Sequence, residues 1–177
     1  MPSAYGTELP GGCSKPNATL SEPASDGPNS GKQRIVVLIG LPGSGKSTYL
    51  ERLGSTALSS DTVRQLLADD ATDQTIHSRV FATLRYLLRQ RLAVGRPVTY
   101  VDATHLTIDE RRPYIKIGQW YGCEVEAIFF DVPLDVCRQR NALRARVVPD
   151  EAMAVMAAKL VPPAVEEGFS RVTVVRY

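Results

Sequence analysis

From Arg34 onward the chain alternates short, wholly apolar runs with longer stretches whose apolar positions recur at helical spacing. Arg34–Ile39 (RIVVLI) is β-branched and apolar after its first residue, as in a strand buried on both faces. Residues 47–53 predict a helix and 57–59 a short strand. A further helix is expected to start at Ser60 or Asp61 and run through Leu66 and Leu67. Ile76, Val80, Leu84, Leu87, Leu88 and Leu92 predict a long helix over 75–93, stopped by Gly95 and Pro97. Residues 97–102 (PVTYVD) form a second buried strand in this pattern. Thr107 to Glu110 is a capping box opening a helix that ends at Gly122. A strand over 125–130, a helix over 134–144, a helix opened by Pro149 and Asp150, and a closing strand over 172–175 complete the series. Met153, Met156, Ala157 and Leu160 mark the inner face of the penultimate element, and Phe81, Tyr86, Trp120 and Tyr121 are expected in the core. Strands alternating with helices predict an α/β fold: about five parallel strands in a three-layer sandwich with helices on both faces. Ligands of such a sheet bind beyond the carboxyl ends of its strands.

Residues 1–33 break this pattern. They are rich in Pro, Gly, Ser and Asn, carry a net charge of −1 and show no apolar periodicity, which predicts a disordered tail ahead of a domain over 34–177. The 177-residue chain has 44% hydrophobic and 23% charged residues, a balance that excludes fibrous and wholly disordered classes. A net charge of +2 compels neither a nucleic-acid nor a membrane partner. The apolar runs fall far short of the ~20 residues that span a bilayer. Cys13, Cys123 and Cys137 are too few and too scattered for a disulfide framework or a zinc site. With no apolar signal segment in 1–32, a cytoplasmic location is expected.

The chemistry is concentrated in Gly40-Leu41-Pro42-Gly43-Ser44-Gly45-Lys46-Ser47, which matches G-x-x-x-x-G-K-[ST] at every fixed position between a strand and a helix. Glycines let successive backbone N–H groups converge on one phosphate, and the helix start adds unpaired donors and a positive dipole end. Gly40, Pro42, Gly43, Ser44, Gly45, Lys46, Ser47 and Thr48 are the candidate nucleotide-binding residues. Lys46 would reach the β- and γ-phosphates, and Ser47 would ligate Mg²⁺. A GTPase would need a base-reading Asn/Thr-Lys-x-Asp element, which is absent. Asp102 is followed by Ala103 rather than by a water-activating Glu. Transfer to an acceptor other than water is therefore expected.

A kinase also needs a base, an acceptor clamp and cations over the transferring phosphoryl. Asp61, after the second strand, is either that base or a helix cap. Arg64, one turn on, has a donor fork suited to an acceptor phosphate, or else is a solvated partner of Asp61. Arg138, Arg140, Arg144 and Arg146 crowd nine residues. Arg140 and Arg144 at i, i+4 form either a mobile, arginine-bearing helical lid or a solvated face. Asp102 would hold a metal-bound water or orient Ser47, and Thr104 and His105 would line the acceptor side. Asp69, Asp70, Asp73 and Gln74 form an acidic turn that either touches substrate or caps helices.

Taken together, the octet, Ser60-Asp61-x-x-Arg64, Asp69-Asp70-x-x-Asp73-Gln74, Val101-Asp102-Ala103-Thr104-His105 and Arg140-Asn141-x-x-Arg144 resemble the polynucleotide 5′-kinase branch of P-loop kinases. The likeness to the phage end-healing kinase and to the kinase module of bacterial RNA-repair enzymes extends over 34–175. It implies ATP and Mg²⁺ as cofactors and 5′-OH ends of DNA or RNA as acceptors. It also implies Lys46 and Ser47 on phosphates and metal, Asp61 as base, Arg64 on the acceptor's 3′-phosphate, and Arg140 and Arg144 in the lid. Where that family generally carries Asn after Asp-x-Thr, this chain has His105. The same parts would also serve a small-molecule kinase acting on a nucleoside, sugar or antibiotic, and the loop alone would serve a nucleotide-dependent switch.

Overall fold

The computed structural model describes residues 31–144 and 146–176. The tail expected over 1–33 lies, for 1–30, outside the described residues. At its end, Gln33 Nε2 donates to Leu92 O at 2.9 Å and Arg96 O at 3.0 Å, which ties the entry of the first strand to the end of a helix.

The described residues form five strands and six α-helices. In chain order they are β1 (Arg34–Ile39), α1 (Lys46–Arg52), β2 (Ala57–Ser59), α2 (Ser60–Ala68), α3 (His77–Ala93), β3 (Val98–Asp102), α4 (Ile108–Tyr121), β4 (Glu124–Asp131), α5 (Leu134–Ala142), α6 (Asp150–Lys159) and β5 (Arg171–Arg176). Every strand pair is parallel, and the sheet order is β2-β3-β1-β4-β5. The order places β1 between β3 and β4, where strand addition reverses direction, so a crevice opens beyond its carboxyl end.

Alternation along β1 builds the three layers. Ile35, Val37 and Ile39 point to one face, where Leu88 and Leu92 of α3 and Tyr114, Ile115 and Ile117 of α4 cover them. Val36 and Leu38 point to the other, against Leu50 of α1, Cys137 of α5 and Met153 of α6. Each such aliphatic side chain contributes about 1.5–3 kcal/mol when fully buried, so a strand covered on both faces anchors the loop that follows it. On the side of α2, Val63 packs with Val80 and Leu84 of α3.

Two expectations change. Tyr86, Trp120 and Tyr121 are exposed, Trp120 at 72%, while Phe81 alone of the four aromatics is partly buried. The helical period that put Trp120 near the core face of α4 is satisfied by Ile117 and Gly118 instead. Gly118 has no room for a Cβ beside Val125, so α4 lies too close to β4 for a bulky neighbour. The helix expected over 134–144 ends at Ala142, for a reason that lies in the site.

Candidate active site

The loop after β1 is shaped by backbone that only glycine supplies at two points. Gly40 has φ 152°, and a Cβ there would lie 2.8 Å from Ser44 Oγ. Gly43 has φ 80°, and a Cβ there would collide with the Cys137 carbonyl of α5. The loop is thereby pressed against α5, and α1 starts directly after it at Lys46. Lys46 Nζ donates to Gly40 O at 2.8 Å and Leu41 O at 2.9 Å, with Ser44 Oγ at 3.5 Å. The ammonium is folded onto its own loop. Burial lowers its pKa, opposed by the nearby Asp102 carboxylate. A phosphate with three charged oxygens is a stronger acceptor for it than two carbonyls.

A cavity of about 560 Å³ opens above this loop. Pro42, Gly43, Gly45, Lys46, Ser47 and Thr48 line one wall. Gly40 and Ser44 are buried beneath it and shape the loop rather than the wall.

Asp61 and Arg64 line the facing wall. β2 ends at Ser59, whose register partner on β3 is Asp102, so both strands deliver a carboxylate to the same sheet edge. Asp61 lies in the first turn of α2, where the helix dipole favours a negative charge. It is not the helix cap: Ser59 holds that position, and no side chain bonds the first turn there. Asp61 Oδ1 instead forms an ion pair with Arg146 at 2.8 Å and accepts a hydrogen bond from Arg64 at 3.4 Å. Arg64 is only 4% exposed, and its buried Nε has no partner among the described residues. An orphaned buried donor costs on the order of 1–3 kcal/mol, which an anionic acceptor group in the cavity would recover.

The arginine segment differs from the expected helical lid. Asn141, at the end of α5, clasps Val148: its Nδ2 donates to Val148 O at 2.8 Å, and its Oδ1 accepts from Val148 N at 3.1 Å. Two good hydrogen bonds to one backbone residue draw the chain into a loop and end the helix at Ala142. Arg144 and Arg146 therefore stand on the α5–α6 connection, not one turn beyond Arg140 on a shared helix face. Arg140, Arg144 and Arg146 all line the cavity nonetheless. Arg138 is diverted to Asp150 at 2.6 Å, linking α5 to α6.

Beyond β3, Asp102 and Thr104 line the cavity. Burial raises the Asp102 pKa, and Lys46 counters it. Thr104 O accepts from Gly40 N at 3.1 Å, pinning the loop to the β3 edge. His105, expected on the acceptor side, is instead fully buried and outside the cavity wall. Its Nδ1 lies 2.8 Å from Leu38 O. Since a carbonyl only accepts, Nδ1 carries the proton, and the buried Nε2 is without a partner. The ring packs edge-on against Tyr114 at 5.0 Å and Phe81 at 6.4 Å. His105 is a core residue that braces β1 behind the loop.

In the acidic turn, Asp70 and Asp73 each accept from the backbone N and hydroxyl of the Thr two residues on, so capping geometry accounts for them. Gln74 does line the cavity, as do His77 and Phe81, whose rings lie 4.6 Å apart, tilted by 38°. Sequence reasoning missed His77 and Phe81 as site residues, although their four-residue spacing at the start of a long helix was visible. It also missed Arg111, which is fully buried on α4. Arg111 binds both Glu167 oxygens, at 2.6 and 2.8 Å, and the carbonyls of His105, Leu106 and Val161. Nothing in the local pattern set it apart from its neighbour Arg112.

Among the described residues no helix is long and apolar enough to cross a membrane. A curated relative, the bifunctional polynucleotide phosphatase/kinase of Schizosaccharomyces pombe, is 28% identical over 145 residues, covering 79% of this chain and 33% of its own length. The chain thus spans about a third of that protein. Among solved structures, the Pnkp1/Rnl/Hen1 RNA repair complex aligns with TM-score 0.62 at 18% identity, over 75% of this chain and 45% of that one. A sugar kinase from Janibacter aligns with TM-score 0.60 at 18% identity, over 81% and 85%. At those identities the structural likenesses speak for the fold alone. The family model described as AAA domain matches residues 35–163, most of the chain and all of the cavity described above. The chain belongs to this AAA domain family.

Proposed function

We propose that this domain transfers the γ-phosphate of ATP to the 5′-hydroxyl end of a DNA or RNA strand. The proposal rests above all on one observation: Asp61, Arg64 and Lys46 line a single cavity, with arginines on its rim. In the step, the acceptor oxygen forms a bond to the γ-phosphorus while the bond to the β,γ-bridging oxygen breaks, releasing ADP. Asp61 takes the hydroxyl proton. Lys46 holds the β- and γ-phosphates, and Arg140 and Arg144 offset charge on the transferring group. Arg64 offers its free Nε to a phosphate on the acceptor, which a nucleic-acid end carries one bond beyond its ribose and most sugars lack.

The oxygen donors in the cavity suit Mg²⁺, which is usually held by one or two protein groups together with substrate phosphates. Ser47 would be its ligand, and Asp102 would reach it through water. When bound it would neutralise phosphate charge. The similarity to a bifunctional polynucleotide phosphatase/kinase supports the acceptor class.

Labelled ATP incubated with 5′-OH RNA, 5′-OH DNA, 3′-nucleoside monophosphates and common sugars tests this. Label is expected on the first three, with the 3′-monophosphate far better used than the bare nucleoside. Label on sugars alone would make this a small-molecule kinase.

A further inference from the structure

A second hollow lies between α3 and α4, and its α3 wall begins one helical turn beyond Phe81. His77 and Phe81 line the larger cavity. Arg85 and Arg89 continue the same four-residue spacing and line a groove of about 250 Å³ between α3 and α4. Four residues of helix rise about 6 Å, so the track from His77 to Arg89 is about 18 Å long. The opposite wall is α4, where Arg112, Lys116 and Trp120 are again four apart. Four cations thus face the groove against one carboxylate, Asp109, which Arg112 already engages at 3.0 Å. Among the described residues no carboxylate pairs with Arg85, Arg89 or Lys116. At the far end stands Trp120, 72% exposed and the chain's single tryptophan. The chain as a whole is close to neutral, so this concentration of charge is local.

We propose that the α3/α4 groove binds the single-stranded body of the polynucleotide acceptor, with backbone phosphates on Arg85, Arg89 and Lys116 and a base stacked on Trp120. The inference deepens the proposed function and rests on it. Unpaired cations flanking an open aromatic platform are what a strand with exposed bases recognises. Phe81 of the cavity and Arg85 of the groove are one turn apart on α3, so a strand leaving the reacting end can run along that helix. A flat anionic surface would leave the concavity between the helices unfilled.

The test is a titration of the full chain with single-stranded oligothymidylate, read by tryptophan fluorescence and repeated across salt concentrations. Saturable quenching is expected. The Arg85→Ala/Arg89→Ala variant should bind about tenfold more weakly. Its log–log salt slope should be shallower by about 1.4, the loss of two phosphate contacts to a single strand. Trp120→Ala and Trp120→Phe remove the only tryptophan, so they are compared with the parent by anisotropy of a dye-labelled oligothymidylate, where Trp120→Ala should weaken binding about tenfold and Trp120→Phe much less. Lys116→Glu, an exposed charge reversal, provides an independent variant should the double variant unfold. No change in fluorescence at saturation, or a variant salt slope equal to the parent's, would overturn the groove. Product formed on 5′-OH oligonucleotides together with unaltered variant binding would remove the groove and keep the kinase proposal. Quenching and variant losses without any phosphorylated polynucleotide would keep the groove and remove the acceptor assignment.

Discussion

The Asp61 carboxylate forms a 2.8 Å ion pair with Arg146, a residue 85 positions later on the connection between α5 and α6. This pair ties the acceptor wall of the cavity to the arginine rim. Asp61→Asn keeps the size of the side chain and removes its ability to take a proton. Transfer is expected to fall by roughly 10²–10⁴-fold, with binding of a fluorescent ATP analogue within about twofold. Arg146 holds Asp61 rather than the acceptor. Its removal should lower kcat about tenfold with little change in acceptor KM, in steady-state assays that vary the acceptor.

Lys46 donates to two loop carbonyls in this structure, and the proposed function requires it to turn to a phosphate when nucleotide binds. A charge-assisted hydrogen bond contributes about 1.5–3 kcal/mol. Lys46→Met should therefore weaken ATP binding by roughly ten- to a hundredfold and abolish measurable transfer. Isothermal titration with a non-hydrolysable analogue checks the first part, and a radiolabel assay the second.

Gly43 combines a left-handed backbone with a near-touching Cys137 carbonyl. Gly43→Ala adds strain of about 1–3 kcal/mol and pushes α5 from the loop. A lower thermal midpoint and weaker nucleotide binding should appear together. Gly95, also at positive φ but with nothing around its side-chain position, should show only the backbone penalty when made alanine.

Burial pushes the His105 pKa down from 6.5 to about 4. The unfolded chain binds this proton near pH 6.5 and the folded chain only near pH 4. Stability is therefore fully present above pH 6.5 and declines as pH falls between those values, by on the order of 3 kcal/mol. Urea denaturation across that window should show the decline, and His105→Asn should flatten it. Asn tolerates the positive φ of 48° at this position and can still donate to Leu38 O.

Arg111 and Glu167 are almost completely buried, at 0% and 6% side-chain exposure. Glu167→Ala would leave a buried guanidinium without its carboxylate, at a cost of about 3–5 kcal/mol. Because Arg111 also bonds His105 O and Leu106 O, the loss should be seen first as a lower midpoint in denaturant. Nucleotide affinity should fall only near the transition.

Local pattern determined much of this protein. The apolar runs, the helical periods and the turn residues predicted all five strands and six helices, because burial on one face or two is written in residues two or four apart. The octet at 40–47 was legible for a similar reason: its glycines, lysine and serine form one loop from backbone that is contiguous in sequence. Asp61 and Arg64, one helical turn apart, could be named as a pair on spacing alone. What spacing cannot give is which groups meet across the fold. Arg146 on Asp61, Asn141 closing on Val148, Arg111 on Glu167 and His105 under β1 are all contacts in which one partner's role depends on the other's position. Whether a side chain faces the core or the surface, as with His105 and Trp120, turned on how closely α3 and α4 approach the sheet. That approach is decided by packing over the whole domain, where steric fit and burial override any local preference.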